Sequence, residues 1–390
     1  MKTATLNKGK EDKYFNQYPL VEAEDIFKSD VLNEGDLFQL KTSTDVYIAT
    51  CYVGRQHKGL GWVLTYDTNE EINEDYFQKQ FALALEERQY FYNVDGTNAF
   101  RLFNGEGDGI GGLTIDNYDG HLLVQWYSEG IYAYRSLIIS AITAIFDYNS
   151  IYEKTRFKHE RIQSGFVLGD APEFPIIMEE NHTFYNVHLD DGPMTGIFLD
   201  QKEVRKKLRD YYATNRNILN LFSYTGAFSV IAAQEAKTTT SVDLANRSRI
   251  LTEENFGING IDPNTQQIFV MDTFDFFKYA KRHQLSYDTI VIDPPSFARR
   301  KNKTFSVMKD YDKLITGALE LLNKNGTLIL STNHSMFSLK SFKNMIKRTL
   351  KDVGVEFDLD EVMGLPKDFK THLHYKPSKY LKVVFITVKH

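Results

Sequence analysis

Four segments of the chain carry residues whose types and spacing suit chemistry around a bound small molecule. The first, Asn220-Leu221-Phe222-Ser223-Tyr224-Thr225-Gly226-Ala227-Phe228-Ser229, follows a strand-like run and holds one glycine followed by small residues. A pyrophosphate needs several backbone amides at close approach, whereas a cofactor without phosphates needs only one such approach. Asp243, seventeen residues beyond Gly226, ends the next strand-like run, placed to accept hydrogen bonds from ribose hydroxyls. Asp272-Thr273 ends a third and suits an adenine edge. Asp293-Pro294-Pro295-Ser296-Phe297 ends a fourth: the prolines stiffen the loop, Asp293 is an acceptor, and Phe297 offers a stacking face. Taken singly, Gly226 reads equally well as a tight turn and Asp243 as a helix N-cap. Four successive strand ends, each carrying the expected group, argue for a site.

The elements that must position these residues follow from periodicity. From about residue 217 the pattern alternates strand and helix, with strands at Ile218–Phe222, Thr239–Leu244, Ile268–Asp272, Thr289–Asp293 and Thr327–Thr332. The intervening helices are Ala227–Glu235, Ala245–Phe256, Phe274–His283, Tyr311–Leu322 and Leu339–Val353. This is an α/β chain with a doubly wound, Rossmann-like sheet whose ligands belong at the carboxyl ends of the strands. Glu356–Val362 and Tyr380–Val388 are expected to finish it as an antiparallel hairpin. Upstream, residues 1–72 read as a small β module, 73–185 as a central α+β domain, and 186–390 as the doubly wound domain. Gly107, Gly109 and Gly112 match G-x-G-x-x-G, but strand sequence follows them where a dinucleotide loop would open a helix. They are expected to connect strands, and a nicotinamide dehydrogenase is set aside.

Composition narrows the class. The 390 residues are 42% hydrophobic and 25% charged, ordinary for a globular chain. The single cysteine, Cys51, excludes a disulfide framework and a thiolate zinc site, and no H-E-x-x-H accompanies His334, His372 or His374, so no metal is expected. No apolar run reaches a membrane span and the N-terminus lacks a signal-peptide core, so a cytoplasmic location is expected. The net charge of −6 hides an uneven distribution. Phe297–Lys313 carries Arg299, Arg300, Lys301, Lys303, Lys309 and Lys313 against Asp310 and Asp312, and six lysines face Asp368 from Leu365 onward. Basic runs beside an aromatic are what a nucleic-acid grip requires, with Arg299, Arg300, Lys301 and Lys303 as the phosphate contacts.

These residues together resemble the class I S-adenosylmethionine-dependent methyltransferases, and more narrowly the bacterial large-subunit ribosomal RNA methyltransferases with an N-terminal PUA domain. Thr195-Gly196-Ile197-Phe198-Leu199-Asp200-Gln201, Asn220 to Phe228, Asp293 to Phe297 and Tyr380-Leu381-Lys382 carry the likeness, with Glu106-Gly107-Asp108-Gly109 weaker. The resemblance implies a PUA-like RNA-binding domain over 1–72 and a cofactor, S-adenosyl-L-methionine, in the last domain. Phe198, Leu199, Asp200, Gln201 and Arg205 would lie over it; Phe222, Tyr224, Thr225, Gly226 and Ser229 would form the loop beneath. Asp243 and Leu244 would flank the ribose, Asp272 and Thr273 the adenine. Asp293, Pro294, Pro295 and Phe297 would face the methyl group and the target base as the catalytic set. The implied partner is large-subunit ribosomal RNA or its precursor, without a membrane; a homodimer stays open.

One departure bears on the reaction. Cytosine C5 is not nucleophilic, so its methylation needs a thiolate that adds to C6 first. The family's cytosine enzymes carry that cysteine after the strand that ends here in Ser331-Thr332-Asn333-His334-Ser335, where this chain has none. Cys51 is expected to be a buried core thiol. Guanine N7, which has a free lone pair, is the favoured target, ahead of an exocyclic amine. The rival activities are cytosine-C5 transfer as in other family members and a non-catalytic assembly factor that binds RNA and the cofactor.

Overall fold

Ile290-Val291-Ile292 and Leu328-Ile329-Leu330 are continuous apolar runs, and all six residues are fully buried. A strand reads this way when helices cover both faces of its sheet. In the computed structural model, which describes residues 1–56, 58–159, 165–300 and 303–389 (backbone alone for 298–300, 303 and 304), they are central strands of a seven-stranded sheet. Numbering within this sheet, β1 is Asn217–Leu221, β2 Thr238–Asp243, β3 Gln267–Val270, β4 Tyr287–Ile292, β5 Leu322–Thr332, β6 Glu356–Met363 and β7 Lys382–Lys389. Their order across the sheet is β3-β2-β1-β4-β5-β7-β6. The first five strands run parallel, while β7 is antiparallel to both β5 and β6, as the late hairpin required.

Alternate residues feed opposite layers. Ile290, Ile292, Leu328 and Leu330 join a core with Phe276, Tyr311, Leu314 and Phe342, whereas Val291 and Ile329 join one with Val204, Leu208 and Phe228. The helices are α1 Ala227–Ala232, α2 Arg247–Ile258, α3 Thr273–Arg282, α4 Val307–Leu319 and α5 Leu339–Val353. Register pairs Leu221 with Val242 and Ile292, and Ile292 with Leu330. The chain therefore leaves β1, β4 and β5 at one edge, where Phe222, Asp293 and Ser331 emerge together. An element not expected from sequence follows Pro295: Phe297–Arg300 and Lys303–Ser306 pair as an antiparallel hairpin, with Arg300 opposite Lys303.

The chain divides into two compact units, and this sheet belongs to the second, residues 179–186, 196–366 and 379–390. The first comprises 1–178, 187–195 and 367–378, so the expected β module and central domain lie in one unit. It holds a six-stranded sheet from residues 2–65 and a five-stranded sheet from residues 99–169. Leu20, Tyr52, Trp62 and Leu64 share a core with Phe77, Phe81, Phe103 and Trp126, which explains the single unit. Tyr52 also donates its hydroxyl to the Gly111 carbonyl at 2.6 Å. The glycine-rich stretch does connect strands, Ala99–Asn104 to Leu113–Tyr118. Among the described residues, no helix is long and apolar enough to cross a membrane.

Candidate active site

The loop after β1 is shaped by three left-handed residues in five: Phe222 at φ 61°, Tyr224 at 53° and Gly226 at 77°. Side chains pay for that conformation, so it survives only where the surroundings hold it, and such strain gathers at ligand clamps. The restraints are explicit. Ser223 N–H donates to the Val242 carbonyl at 3.0 Å, Gly226 N–H to the Ser223 carbonyl at 2.8 Å, and Tyr224 N–H to Asp243 Oδ2 at 2.9 Å. Gly226 has a second reason to be glycine, since a Cβ there would lie 2.5 Å from Thr252 Cγ2.

The segment Phe198–Gln201 is tied to the same loop. Thr225 Oγ1 donates to the Gly196 carbonyl at 2.6 Å, and the Phe198 and Tyr224 rings lie 5.8 Å apart, with Phe198 44% exposed. Arg205 is buried, its guanidinium gripping Glu180 through two 2.7 Å bonds and the Phe198 carbonyl at 2.8 Å. Its expected place over the cofactor is thus corrected to a brace behind the loop, because a guanidinium spent on a buried carboxylate has little left for a ligand. Ser229 is corrected likewise. It is fully buried on α1, its hydroxyl shared with Asn220 and Ser241, and it faces the sheet rather than the loop's open side.

The carboxylates at the ends of β2 and β3 do structural work as well. Asp243 Oδ1 accepts from Ala245 N–H at 2.8 Å, so both its oxygens hold backbone. Asp272 caps α3 by accepting from Phe274 N–H and Asp275 N–H at 2.9 and 3.3 Å. Each oxygen of Asp243 keeps a further lone pair, so these bonds orient that group without exhausting it. Leu244 is exposed beside Asp243, whereas Thr273 is buried in the first turn of α3.

At the ends of β4 and β5 the groups are closest to each other. Gln201 Nε2 donates to Asp293 Oδ2 at 2.6 Å, while the buried Gln201 Oε1 has no hydrogen-bond partner. Tyr380 donates to Asp200 Oδ2 at 2.9 Å. Burial, and after it the nearby Asp200, raises the Asp293 carboxyl to about 6; the Ser331 hydroxyl and the Gln201 amide pull the other way. Tyr311, buried on α4, shares its hydroxyl between the carbonyls of Ile292 and Ser331 at 3.0 and 2.7 Å, which fixes the two strand ends against each other. Pro294 is buried and Pro295 exposed; Phe297 is 63% exposed, its ring 6.0 Å from that of His334.

Sequence reasoning missed Glu180, Tyr311 and Lys382 as supports of this site. Lys382 donates to the His334 carbonyl at 2.8 Å, and burial lowers its ammonium to about 8. Only the Tyr380-Leu381-Lys382 likeness hinted at the last. Of the four basic residues expected to meet phosphate, Lys301 lies outside the described residues; Arg299, Arg300 and Lys303 lie on the hairpin strands.

The residues present fit a cofactor that is cationic at sulfur and carries no phosphate. Aromatic faces at Phe198 and Tyr224 and carboxylates at Asp200 and Asp293 favour a cation, and one glycine allows one close approach. Comparison with known proteins agrees. Residues 101–353 match the S-adenosylmethionine-dependent methyltransferase family and residues 4–66 a PUA-like domain. YwbD of Bacillus subtilis, provisionally named a ribosomal RNA large subunit methyltransferase, is 45% identical over all of both chains. Ribosomal RNA large subunit methyltransferase I of Aeromonas salmonicida is 27% identical over 98% of each. The solved structure of SMU.776, provisionally named a methyltransferase and complexed with SAH, superposes with a TM-score of 0.93 at 40% identity, covering 99% of this chain and all of that one. With the family match over residues 101–353 and 45% identity to YwbD along the whole length, the chain belongs to the S-adenosylmethionine-dependent methyltransferase family.

Proposed function

We propose that this protein methylates a guanine at N7 in large-subunit ribosomal RNA, by direct transfer without a covalent enzyme–RNA adduct. Ribosomal RNA as substrate rests on the names of YwbD and the Aeromonas enzyme, whose lengths this chain matches. The observation that carries the choice of atom is the pair at the ends of β4 and β5. Asn333, in the segment where a cytosine C5 enzyme carries its thiolate, offers an amide instead, and that amide accepts from Ser296 Oγ at 2.9 Å. Cys51 is fully buried in the first unit, and burial pushes its thiol well above the usual range, which leaves no thiolate to attack C6.

S-adenosylmethionine supplies an electrophilic methyl on a sulfonium. The guanine N7 lone pair forms the new C–N bond as the S–CH₃ electrons stay on sulfur, and no proton has to leave. Asp293, in its ionised form, faces the positive charge that passes from sulfur to the base, and Gln201 holds its carboxylate in place. Phe222, Tyr224, Thr225 and Gly226 bound the methionine side; Asp243 and Leu244 serve the ribose, and Asp272 and Thr273 the adenine. Phe297 offers the face against which an unstacked base rests, and the prolines keep that loop stiff. The hairpin bearing Arg299, Arg300, Lys301 and Lys303 grips phosphate. The test is nucleoside mass spectrometry of ribosomal RNA from cells with and without the gene. Loss of 7-methylguanosine is expected; loss of 5-methylcytidine instead would overturn the reading.

A further inference from the structure

A free asparagine amide is an ambivalent reader of purines. It can donate from Nδ2 and accept at Oδ1, the pairing that ordinarily recognises adenine N7 and N6–H₂. In the structure the Asn333 amide is turned one way. Its Oδ1 accepts the Ser296 hydroxyl at 2.9 Å, which points Nδ2 and its two hydrogens elsewhere, and Nδ2 has no partner among the described residues. The side chain is exposed, so these donors are open to solvent. Three further contacts hold the loop that presents it. Lys382 Nζ donates to the His334 carbonyl at 2.8 Å, His334 N–H donates to Thr332 Oγ1 at 3.3 Å, and the Tyr311 hydroxyl secures the Ser331 carbonyl at 2.7 Å. The rings of Phe297 and His334, the residues that follow Ser296 and Asn333 in the chain, lie 6.0 Å apart.

Guanine and adenine differ on the edge next to N7. Guanine presents O6, an acceptor, and adenine presents N6–H₂, a donor. When N7 itself is the atom being methylated, it needs its lone pair for the methyl group, and recognition falls to the neighbouring exocyclic group. A side chain turned to donate there accepts guanine and meets adenine with donor against donor.

We propose that Asn333, oriented by the Ser296 hydroxyl, donates to O6 of the target guanine and is the residue that selects guanine over adenine. The assignment rests on guanine N7 as the methylated atom. Ser296 is a positioning residue: it acts by holding Asn333 Oδ1, which leaves Nδ2 to donate.

The experiment uses the full-length protein and ribosomal RNA from cells lacking the gene. The methylated position is mapped first, and transcripts then carry guanine or adenine there. Wild-type protein should yield 7-methylguanosine and discriminate strongly against the adenine transcript. Asn333→Asp keeps the size of the side chain and its bond from Ser296 but removes the donors. It should lower kcat/KM on the guanine transcript roughly ten- to a hundredfold, the cost of leaving an acceptor unpaired, and narrow the guanine-to-adenine ratio. Ser296→Ala should lower activity on guanine less and still narrow that ratio, which a merely structural role would not do. S-adenosylhomocysteine affinity should stay unchanged in both variants, which shows that the cofactor cleft is intact. If wild-type product is 7-methylguanosine while Asn333→Asp retains both kcat/KM and the ratio, the assignment of Asn333 is wrong and the N7 reading stands. If the wild-type product is another nucleoside, the N7 reading itself fails.

Discussion

In the proposed mechanism, Asp293 is the residue whose state most directly reports on the reacting centre. Its carboxyl sits at about 6 instead of the ordinary 3.8, chiefly through burial. A carboxyl raised in the folded chain resists ionising there, so folding stability falls as pH rises from about 4 to about 6. Asp293→Asn should abolish that fall, as chemical denaturation at a series of pH values would record. The same ionisation should shape activity. The negative form attracts a cationic cofactor, so kcat/KM for S-adenosylmethionine should rise with pH through about 6 and then level off. In Asp293→Asn that acid limb should vanish and the rate at pH 7.5 should drop on the order of 10²- to 10³-fold, the usual loss when an oriented electrostatic group is removed. An acid limb that persists in the variant would assign it to another group. The identity of Asp293 as an acceptor was legible from its place before two prolines. Its protonation was not, because that depends on Asp200, Gln201 and Ser331, which reach it from other segments of the chain.

At the scale of elements, the loop after β1 and the hairpin after β4 are the pieces to perturb. Gly226→Ala forces an L side chain into φ 77° and drives its Cβ to 2.5 Å from Thr252. Left-handed strain alone costs about 1–2 kcal/mol, and the clash with Thr252 adds to it. The variant should unfold at a lower temperature and bind S-adenosylhomocysteine more weakly. Adding Thr252→Ala should recover the packing part and leave the backbone part, which thermal unfolding of the single and double variants would separate. For the hairpin, neutralising Arg299, Arg300, Lys301 and Lys303 together should weaken RNA binding and flatten its salt dependence by a slope of about 0.7–0.9 per lost phosphate contact. Cofactor affinity should not change. An unaltered salt slope would mean that these residues are solvated surface only. Sequence showed the charge of this stretch but not its pairing, since arginine and lysine have little strand preference and the pairing register is a property of two segments.

For the whole molecule, the one thiol and the proposed reaction site belong to different units. Cys51 packs with Phe38, Leu40 and Val63 in the first unit, while Asp293, Ser296 and Asn333 lie in the second. Cys51→Ala should leave methyl transfer intact and lower stability by about 1–2 kcal/mol through the small cavity it opens. A 5-fluorocytosine-containing RNA trapped on the wild-type protein but not on Cys51→Ala would reverse this. The first unit also draws on the far end of the chain. Arg88 pairs with Asp108 at 2.7 Å and donates to the Asp368 carbonyl at 2.8 Å, and Asp368 Oδ2 accepts from Arg101 N–H at 2.9 Å. Leu365 onward was read for its lysines, yet residues 367–378 serve in part as a structural segment of the first unit.

What the sequence determined by itself was everything carried by local pattern. Continuous apolar runs separated by amphipathic stretches specify parallel strands and covering helices, and a single glycine followed by small residues specifies a loop without a pyrophosphate cradle. The four strand-end groups and the buried state of Cys51 follow from the same kind of reading. What only the tertiary structure decided was how groups distant along the chain share atoms. Arg205 turns away to Glu180, Ser229 turns inward to Asn220 and Ser241, and Ser296 reaches across 37 positions to fix the amide of Asn333. Hydrogen-bond capacity is finite, so a side chain's role depends on which partner takes its donors and acceptors. That partner is chosen by how distant segments pack, as strands β4 and β5 do for Ser296 and Asn333, and not by either residue's neighbours in sequence.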